Sequence, residues 1–195
     1  MLPESLILQL RDVFPKMYAL RPEAPCKVLV GPNKRVEVTE RAHKSYLKTP
    51  PYDAANPKSY MFAGLEDQAK VNDDLPEVFQ PILDWLNQDA VMPFNQVVVN
   101  WYKDGTEYIP MHSDCETGMV PGASIVVVNL EEPNTSFPRL FTLESRSGTQ
   151  PKLELRLKHG MVIRMLGDTQ KEYRHGVCKD GTMHKRMSMI MRSYL

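Results

Sequence analysis

Two short stretches hold the groups most able to do chemistry. In IPMHSD, residues 109–114, His112 and Asp114 stand two positions apart. On an extended backbone, residues i and i+2 face the same side, so an imidazole and a carboxylate converge there. In YRHGV, residues 173–177, His175 follows Asp114 by 61 residues, beyond four runs that read as strands and ahead of a last one. A fold that returns distant strands side by side brings the second imidazole to the first two groups. Two imidazoles and a carboxylate on three corners of an octahedron are the ligand set of non-haem Fe(II) oxygenases, with three positions open for co-substrate and O2. Taken singly each motif has a plainer reading, since H-x-D recurs by chance and His175 alone reads as a loop histidine.

The last strand adds to this. In RMSMIMRSY, period two puts Arg186, Ser188, Ile190, Arg192 and Tyr194 on one face and Met187, Met189 and Met191 on the other, where they can pack between sheets. Two arginines on one face are costly to bury unless anions pair them, and a guanidinium fork suits a carboxylate. They are six residues apart, about 20 Å along an ideal strand, too far to hold one carboxylate together. Either they serve opposite ends of a dicarboxylate, or Arg192 pairs with a nearby Asp or Glu. Asn100 and Tyr102 in VVVNWYKDG share a strand face, with Trp101 turned away, and can complete such a pocket. A strand tyrosine is otherwise a core residue with a wet tip.

The elements that must position these groups are short. The chain has 195 residues, 42% apolar and 25% charged, with sixteen prolines. That is one soluble globular domain of many short elements, and it excludes a disordered chain or a membrane bundle. After residue 95, QVVVNWY, SIVVVNL, RLFTL, LELRL, MVIRML and RMSMIMRSY alternate with Gly-containing turns. They predict a mostly β fold, an antiparallel jelly roll over residues 96–195. Residues 1–95 predict flanking helices and loops at its open end: a helix over 3–14 stopping near Pro15, strands CKVLV and RVEVT, and a helix over 74–88 capped by Asp74 and kinked or started at Pro81.

Basic and acidic residues balance at 24 each, which disfavours bulk attraction to nucleic acid but leaves room for a local basic strip. Residues 27–48 carry six Lys/Arg against two Glu, and residues 152–195 carry ten against four acids. Three cysteines without C-x-x-C spacing predict no disulfide framework or zinc ribbon, hence a reducing intracellular compartment, cytoplasmic or nuclear. The opening MLPESLILQL reads as no secretory signal, and no run of about 18 apolar residues predicts a membrane span.

Taken in order, N-x-Y-x-x-G at 100–105, H-x-D at 112–114, His175 and R-x-S-x-x-x-R at 186–192 resemble the AlkB family of Fe(II)- and 2-oxoglutarate-dependent dioxygenases. The resemblance covers residues 96–195 and extends loosely over 26–95. It implies a double-stranded β-helix, with His112, Asp114 and His175 as iron ligands and Asn100, Tyr102, Arg186 and Arg192 holding 2-oxoglutarate. By the same resemblance Arg186, helped by Tyr102, meets the distal carboxylate, and Arg192 lies by the carboxylate next to iron. It implies O2 as co-substrate, alkylated DNA or RNA as partner, and demethylation with release of formaldehyde, as in DNA repair or RNA demethylation. YMFAG at 60–64 aligns with the family's lid, making Tyr60 and Phe62 the substrate-capping residues chosen from Tyr46, Tyr52, Tyr60 and Phe62. Glu116 stands where relatives contact the target base, and Lys34, Arg35, Arg41, Lys44 and Lys48 are placed to meet phosphates. The expected state is a monomer.

Three departures bear on substrate identity. Ser188 and Ile190 replace the usual Asn and Thr, the acidic run after the ligands reads Asp114-Cys115-Glu116, and Asn129-Leu130-Glu131-Glu132-Pro133 replaces a small-residue run ending in Gly. Competing expectations are the same fold hydroxylating a protein or small molecule, a non-catalytic jelly-roll binding module, and a zinc hydrolase. The full ligand and arginine set argues against the binding module, and a hydrolase leaves Arg186 and Arg192 without purpose.

Overall fold

The β-branched runs after residue 95 pair into two antiparallel sheets that pack face to face. The computed structural model describes residues 1–23, 26–30, 35–39, 41–47, 74–116, 118–135 and 137–194. Its strands are β1 (Cys26–Val30), β2 (Arg35–Thr39), β3 (Ala42–Leu47), β4 (Gln96–Tyr102), β5 (Ile109–His112), β6 (Ile125–Glu131), β7 (Leu140–Ser145), β8 (Leu153–Arg156), β9 (Met161–Met165), β10 (Tyr173–Val177) and β11 (Arg186–Arg192). The larger sheet has five strands in the order β3-β4-β11-β6-β9, the smaller four in the order β5-β10-β7-β8, and β1 pairs with β2 apart from both. Except for β3-β4 and β7-β8, the neighbours are non-consecutive in sequence, as a jelly roll requires.

All residues of β4 and β6 are buried, because both faces of the larger sheet are covered. One face meets the helices α1 (Glu4–Tyr18) and α2 (Gln80–Asn87), where Leu10, Phe14, Met17, Ile82 and Leu83 pack on Val97, Val99, Val126 and Val128. Met187, Met189 and Met191 lie in this layer. They therefore pack between sheet and helices, not between the sheets as their alternation suggested, since period two separates faces without naming what covers them. The layer between the sheets is built from Ile125, Val127, Phe141, Leu157, Val177 and Ile190.

Three further expectations change. Helix α1 runs through Pro15 to Tyr18. Burial of Phe14 and Met17 and a 3.1 Å hydrogen bond from the Trp101 indole to the Met17 carbonyl outweigh the N–H that proline lacks. Asp74 is not a cap, because the segment starts as a 3-10 turn at Glu77–Phe79 and Pro81 occupies the first turn of α2, where a missing N–H costs nothing. Strand β3 was not foreseen. AHKSYL is a weak strand former, and its partner β4 recruits it through tertiary pairing. Among the described residues no helix is long and apolar enough to cross a membrane.

Candidate metal centre and co-substrate pocket

Strands β5 and β10 place His112 and His175 directly opposite each other. Their ring centroids are 4.4 Å apart. Gly176 permits this approach, because a Cβ there would sit 2.9 Å from the Ile109 carbonyl oxygen and 3.1 Å from Met111 Sδ. Asp114 lies beyond the end of β5 and is held there. Its N–H donates to Gln170 Oε1 at 2.9 Å, and Ser113 Oγ donates to the Tyr173 carbonyl at 2.6 Å. The carboxylate lies 3.7 Å from His112 Nε2 and 3.6 Å from His175 Nε2, and the three ligand atoms all fall within 4.8 Å of one another. Cis ligands with bonds of about 2.1 Å stand about 3 Å apart, so the two His–Asp separations are each within an ångström of those required around one ion. His112 Nδ1 faces the Pro110 carbonyl oxygen at 2.9 Å, and Nε2 is turned toward Asp114. His175 stacks on Phe141 at 5.6 Å between centroids.

Charge prepares the centre. Burial alone would raise the Asp114 pKa, but the Arg192 guanidinium and then the two imidazoles hold it well below the usual carboxylate range. Arg192 Nη2 donates to Asp114 Oδ1 at 2.8 Å, so of the two sequence readings of Arg192 the structure displays the pairing with a nearby acid. Burial, and then the neighbouring His112, push His175 down to about 4, against the pull of Asp114. It is therefore neutral at physiological pH, the form that binds a metal.

Two outcomes follow from these charges. In the unfolded chain His175 titrates near the ordinary 6.5, so as pH falls from about 6.5 to about 4 the unfolded state gains a proton that the fold refuses. Metal-free protein therefore loses about 3 kcal/mol through this residue over that window and nothing above it. Urea unfolding across the window reads the loss, and His175→Gln removes it; a wild-type profile no steeper than the variant's contradicts a neutral buried His175. Replacing Arg192 with methionine strands a buried carboxylate and destabilises the apo protein by about 3 to 5 kcal/mol. Part of that returns on adding Mn(II), whose charge takes the guanidinium's place. Unchanged apo stability would show that the pair contributes nothing.

On the face of the larger sheet turned to the smaller one, cross-strand partners form rungs. Tyr102, Arg186 and Glu131 make one, Asn100, Ser188 and Asn129 the next, and Val98, Ile190 and Val127 a third. Arg186 Nε donates to Asn129 Oδ1 at 2.5 Å, Asn100 Nδ2 to Ser188 Oγ at 3.5 Å, and Arg41 Nε to Asn100 Oδ1 at 3.1 Å. The Arg186 and Arg139 guanidiniums lie 4.5 and 5.6 Å from the Tyr102 ring centroid. Arg139 is committed, donating to the Cys178 carbonyl at 2.6 Å, the Glu107 carbonyl at 2.7 Å and Asp180 Oδ2 at 3.2 Å. Arg186 is not. It is 1% exposed, its Nη1 and the Tyr102 hydroxyl are buried without a hydrogen-bond partner, and no carboxylate among the described residues is in ion-pair range of it. Burial lowers its pKa. A desolvated cation beside an unsatisfied phenol fits an incoming carboxylate.

The structure brings His112, Asp114 and His175 together with Arg192, and Asn100 and Tyr102 together with Arg186. Glu116 lies half-buried two residues past Asp114. Tyr60, Phe62, Tyr52, Lys34 and Lys48 lie outside the described residues. Of the residues weighed for substrate contact, two pack inside the fold. Tyr46 is a core residue in the layer between the larger sheet and the helices. Arg41 is buried and donates to Asn100 and, at 2.8 Å, to the Tyr108 carbonyl, so it supports the pocket instead of meeting phosphates. Sequence reasoning missed Arg139 and Glu131 as members of the pocket. Arg139 left no signal, because its partners are loop carbonyls distant in sequence. Glu131 was within reach, since period two along SIVVVNLE puts it on the face of Val127 and Asn129.

Gly105 explains the last letter of N-x-Y-x-x-G. Its N–H donates to the Thr182 carbonyl at 2.8 Å, and a Cβ there would lie 2.5 Å from the Asp180 carbonyl oxygen. The close approach brings the loop after β4 against the one before β11, where Arg139 clasps both.

With this geometry described, comparison with known proteins is informative. The family model described as the 2OG-Fe(II) oxygenase superfamily matches residues 29–193. The mouse DNA oxidative demethylase ALKBH2 is 25% identical over 179 residues, covering 89% of this chain and 72% of that protein. The human protein of the same name is 26% identical over 179 residues, covering 89% and 66%. Among solved structures, OsALKBH1 superposes with a TM-score of 0.51 at 15% identity, covering 98% of this chain and 94% of that one. A prolyl-4-hydroxylase of Pseudomonas putida gives 0.53 at 12% identity, covering 100% and 89%. These two show a shared fold.

Proposed function

The chain belongs to the 2OG-Fe(II) oxygenase superfamily, and from that premise we propose that this AlkB-like dioxygenase oxidatively demethylates N-alkylated nucleobases in DNA or RNA. The observation that carries the reading is the similarity to two DNA oxidative demethylases over 89% of the chain, together with a His-Asp-His cluster beside an arginine that lacks its anion. When bound, Fe(II) and O2 would couple oxidative decarboxylation of 2-oxoglutarate, giving succinate and CO2, to hydroxylation of a C–H bond, and a hydroxylated N-methyl carbon would depart as formaldehyde.

The chain's own residues do the rest. His112, Asp114 and His175 would hold the ion, which would there bind the co-substrate and O2. Arg192 keeps Asp114 ionised and aimed, at the end of the pocket beside the metal. Arg186 and Tyr102 receive the distal carboxylate of 2-oxoglutarate, and Asn100, oriented by Arg41 and Ser188, lines the path between. Glu116, with Tyr60 and Phe62, which lie outside the described residues, completes the reading on the substrate side. A base inside a duplex must be extruded to reach such a site.

The test is formaldehyde release, matched to succinate, from N-methylated single- and double-stranded oligonucleotides. Release from oligonucleotides and not from methylated peptides or free bases is expected. Succinate formation driven by a peptide or a small molecule, with oligonucleotides inert, would replace this reading with the competing one of a protein or small-molecule hydroxylase, which the balance of 24 basic and 24 acidic residues favours.

A further inference from the structure

Glu131 is a carboxylate buried where an anion is due to bind. It ends β6 on the inward face, directly opposite Arg186 in the register, and is 4% exposed. Its Oε1 has no hydrogen-bond partner. The groups acting on its carboxyl are Arg186 on β11 and Arg139 ahead of β7, with hydrogen bonds from the Asn129 side chain and the Arg139 N–H; Tyr102 on β4 lies across Arg186 from it, and His159, from the turn before β9, meets only its backbone, with Nδ1 2.9 Å from the Glu131 carbonyl oxygen. Farther out, Glu132 is taken by Lys185 at 3.9 Å, His184 lies near Arg186, and Arg139 is balanced by Asp180 at 3.2 Å. That leaves one guanidinium, Arg186, and one carboxylate, Glu131. A second carboxylate entering this dry rung makes two anions share one cation, and two carboxylates at one buried site cannot both stay ionised at neutral pH.

Resting on the reading that Arg186 receives the distal carboxylate of 2-oxoglutarate, we propose that Glu131 takes up one proton from solvent as that carboxylate binds. The proton goes onto a carboxylate oxygen of Glu131, turning a competitor for Arg186 into a neutral neighbour that can donate a hydrogen bond. Co-substrate affinity is thereby tied to pH through a residue outside the metal centre. Burial already raises the Glu131 pKa above the ordinary value, against the pull of Arg186, so the group is disposed to accept the proton.

Calorimetric titration of the Mn(II)-loaded protein with 2-oxoglutarate, in buffers of different ionisation enthalpy, counts the protons directly. Between the Glu131 pKa of the free protein and that of the complex, uptake approaches one proton and the Kd rises by up to about tenfold per pH unit. Glu131→Gln, of equal size, shows neither the uptake nor the slope. The monocarboxylate 2-oxopentanoate, which lacks the distal group, gives no uptake with the wild-type protein. Binding of 2-oxoglutarate without net uptake by the wild type at every pH from about 6 to about 8, or full uptake retained in Glu131→Gln, overturns the proposal. Arg186→Met separates this from the reading beneath it. If that variant binds 2-oxoglutarate weakly and the wild type takes up no proton, only the role of Glu131 falls. If it binds as tightly as wild type, the pocket assignment falls and takes the proposal with it.

Discussion

His112→Ala costs the protein its metal while leaving its fold in place. Loss of a group that merely supports a ligand lowers metal affinity by about 10- to 100-fold, so deletion of a ligand exceeds the upper figure. His112 is the member of the cluster best suited to the test, because its side chain is 35% exposed against 12% for Asp114 and 7% for His175. Removing it opens no deep cavity and strands no charge, whereas removing Asp114 leaves Arg192 buried without its carboxylate. Unfolding free energy is expected to change by no more than about 1 kcal/mol. Mn(II) titration reads the affinity, and the visible charge-transfer band of anaerobic Fe(II) with 2-oxoglutarate disappears in the variant. A variant that holds Mn(II) as tightly as wild type would mean that the ion sits elsewhere.

Arg186→Met weakens 2-oxoglutarate binding by about 30- to 1000-fold, the equivalent of roughly 2 to 4 kcal/mol for removing one partner of a buried charged hydrogen-bonded pair. Mn(II) affinity is expected to stay near wild type, because Arg186 and Arg192 stand at opposite ends of β11 and of the two Arg192 is the one that reaches Asp114. Methionine keeps most of the volume and the stacking on Tyr102, so the loss reports the missing charge and N–H groups. Arg164→Ala is the matched control. Arg164 is exposed on β9 and belongs to the rung of Val126, on the sheet face away from the pocket, and its loss leaves co-substrate binding unchanged. Equal effects of the two substitutions would remove Arg186 from the co-substrate pocket.

The chemistry was legible in the chain because strand periodicity is local. An alternation of two sorts side chains onto faces whatever the strand later pairs with, and so the inward placement of Asn100 with Tyr102, and of Arg186 with Ser188 and Arg192, could be read from single segments. The same rule could not say that the methionines of β11 meet helices, that α1 continues past Pro15, or that Ala42–Leu47 becomes a strand. Each of those is decided by a partner far away in the sequence. Two contacts and one cross-strand pairing at the centre of the molecule belong to the folded state alone: His112 set against His175, Arg192 turned onto Asp114, and Glu131 opposite Arg186 in the register. In each, residues that are independent in the unfolded chain come to share a small volume, and there burial together with neighbouring charge shifts the pKa values of Asp114 and His175.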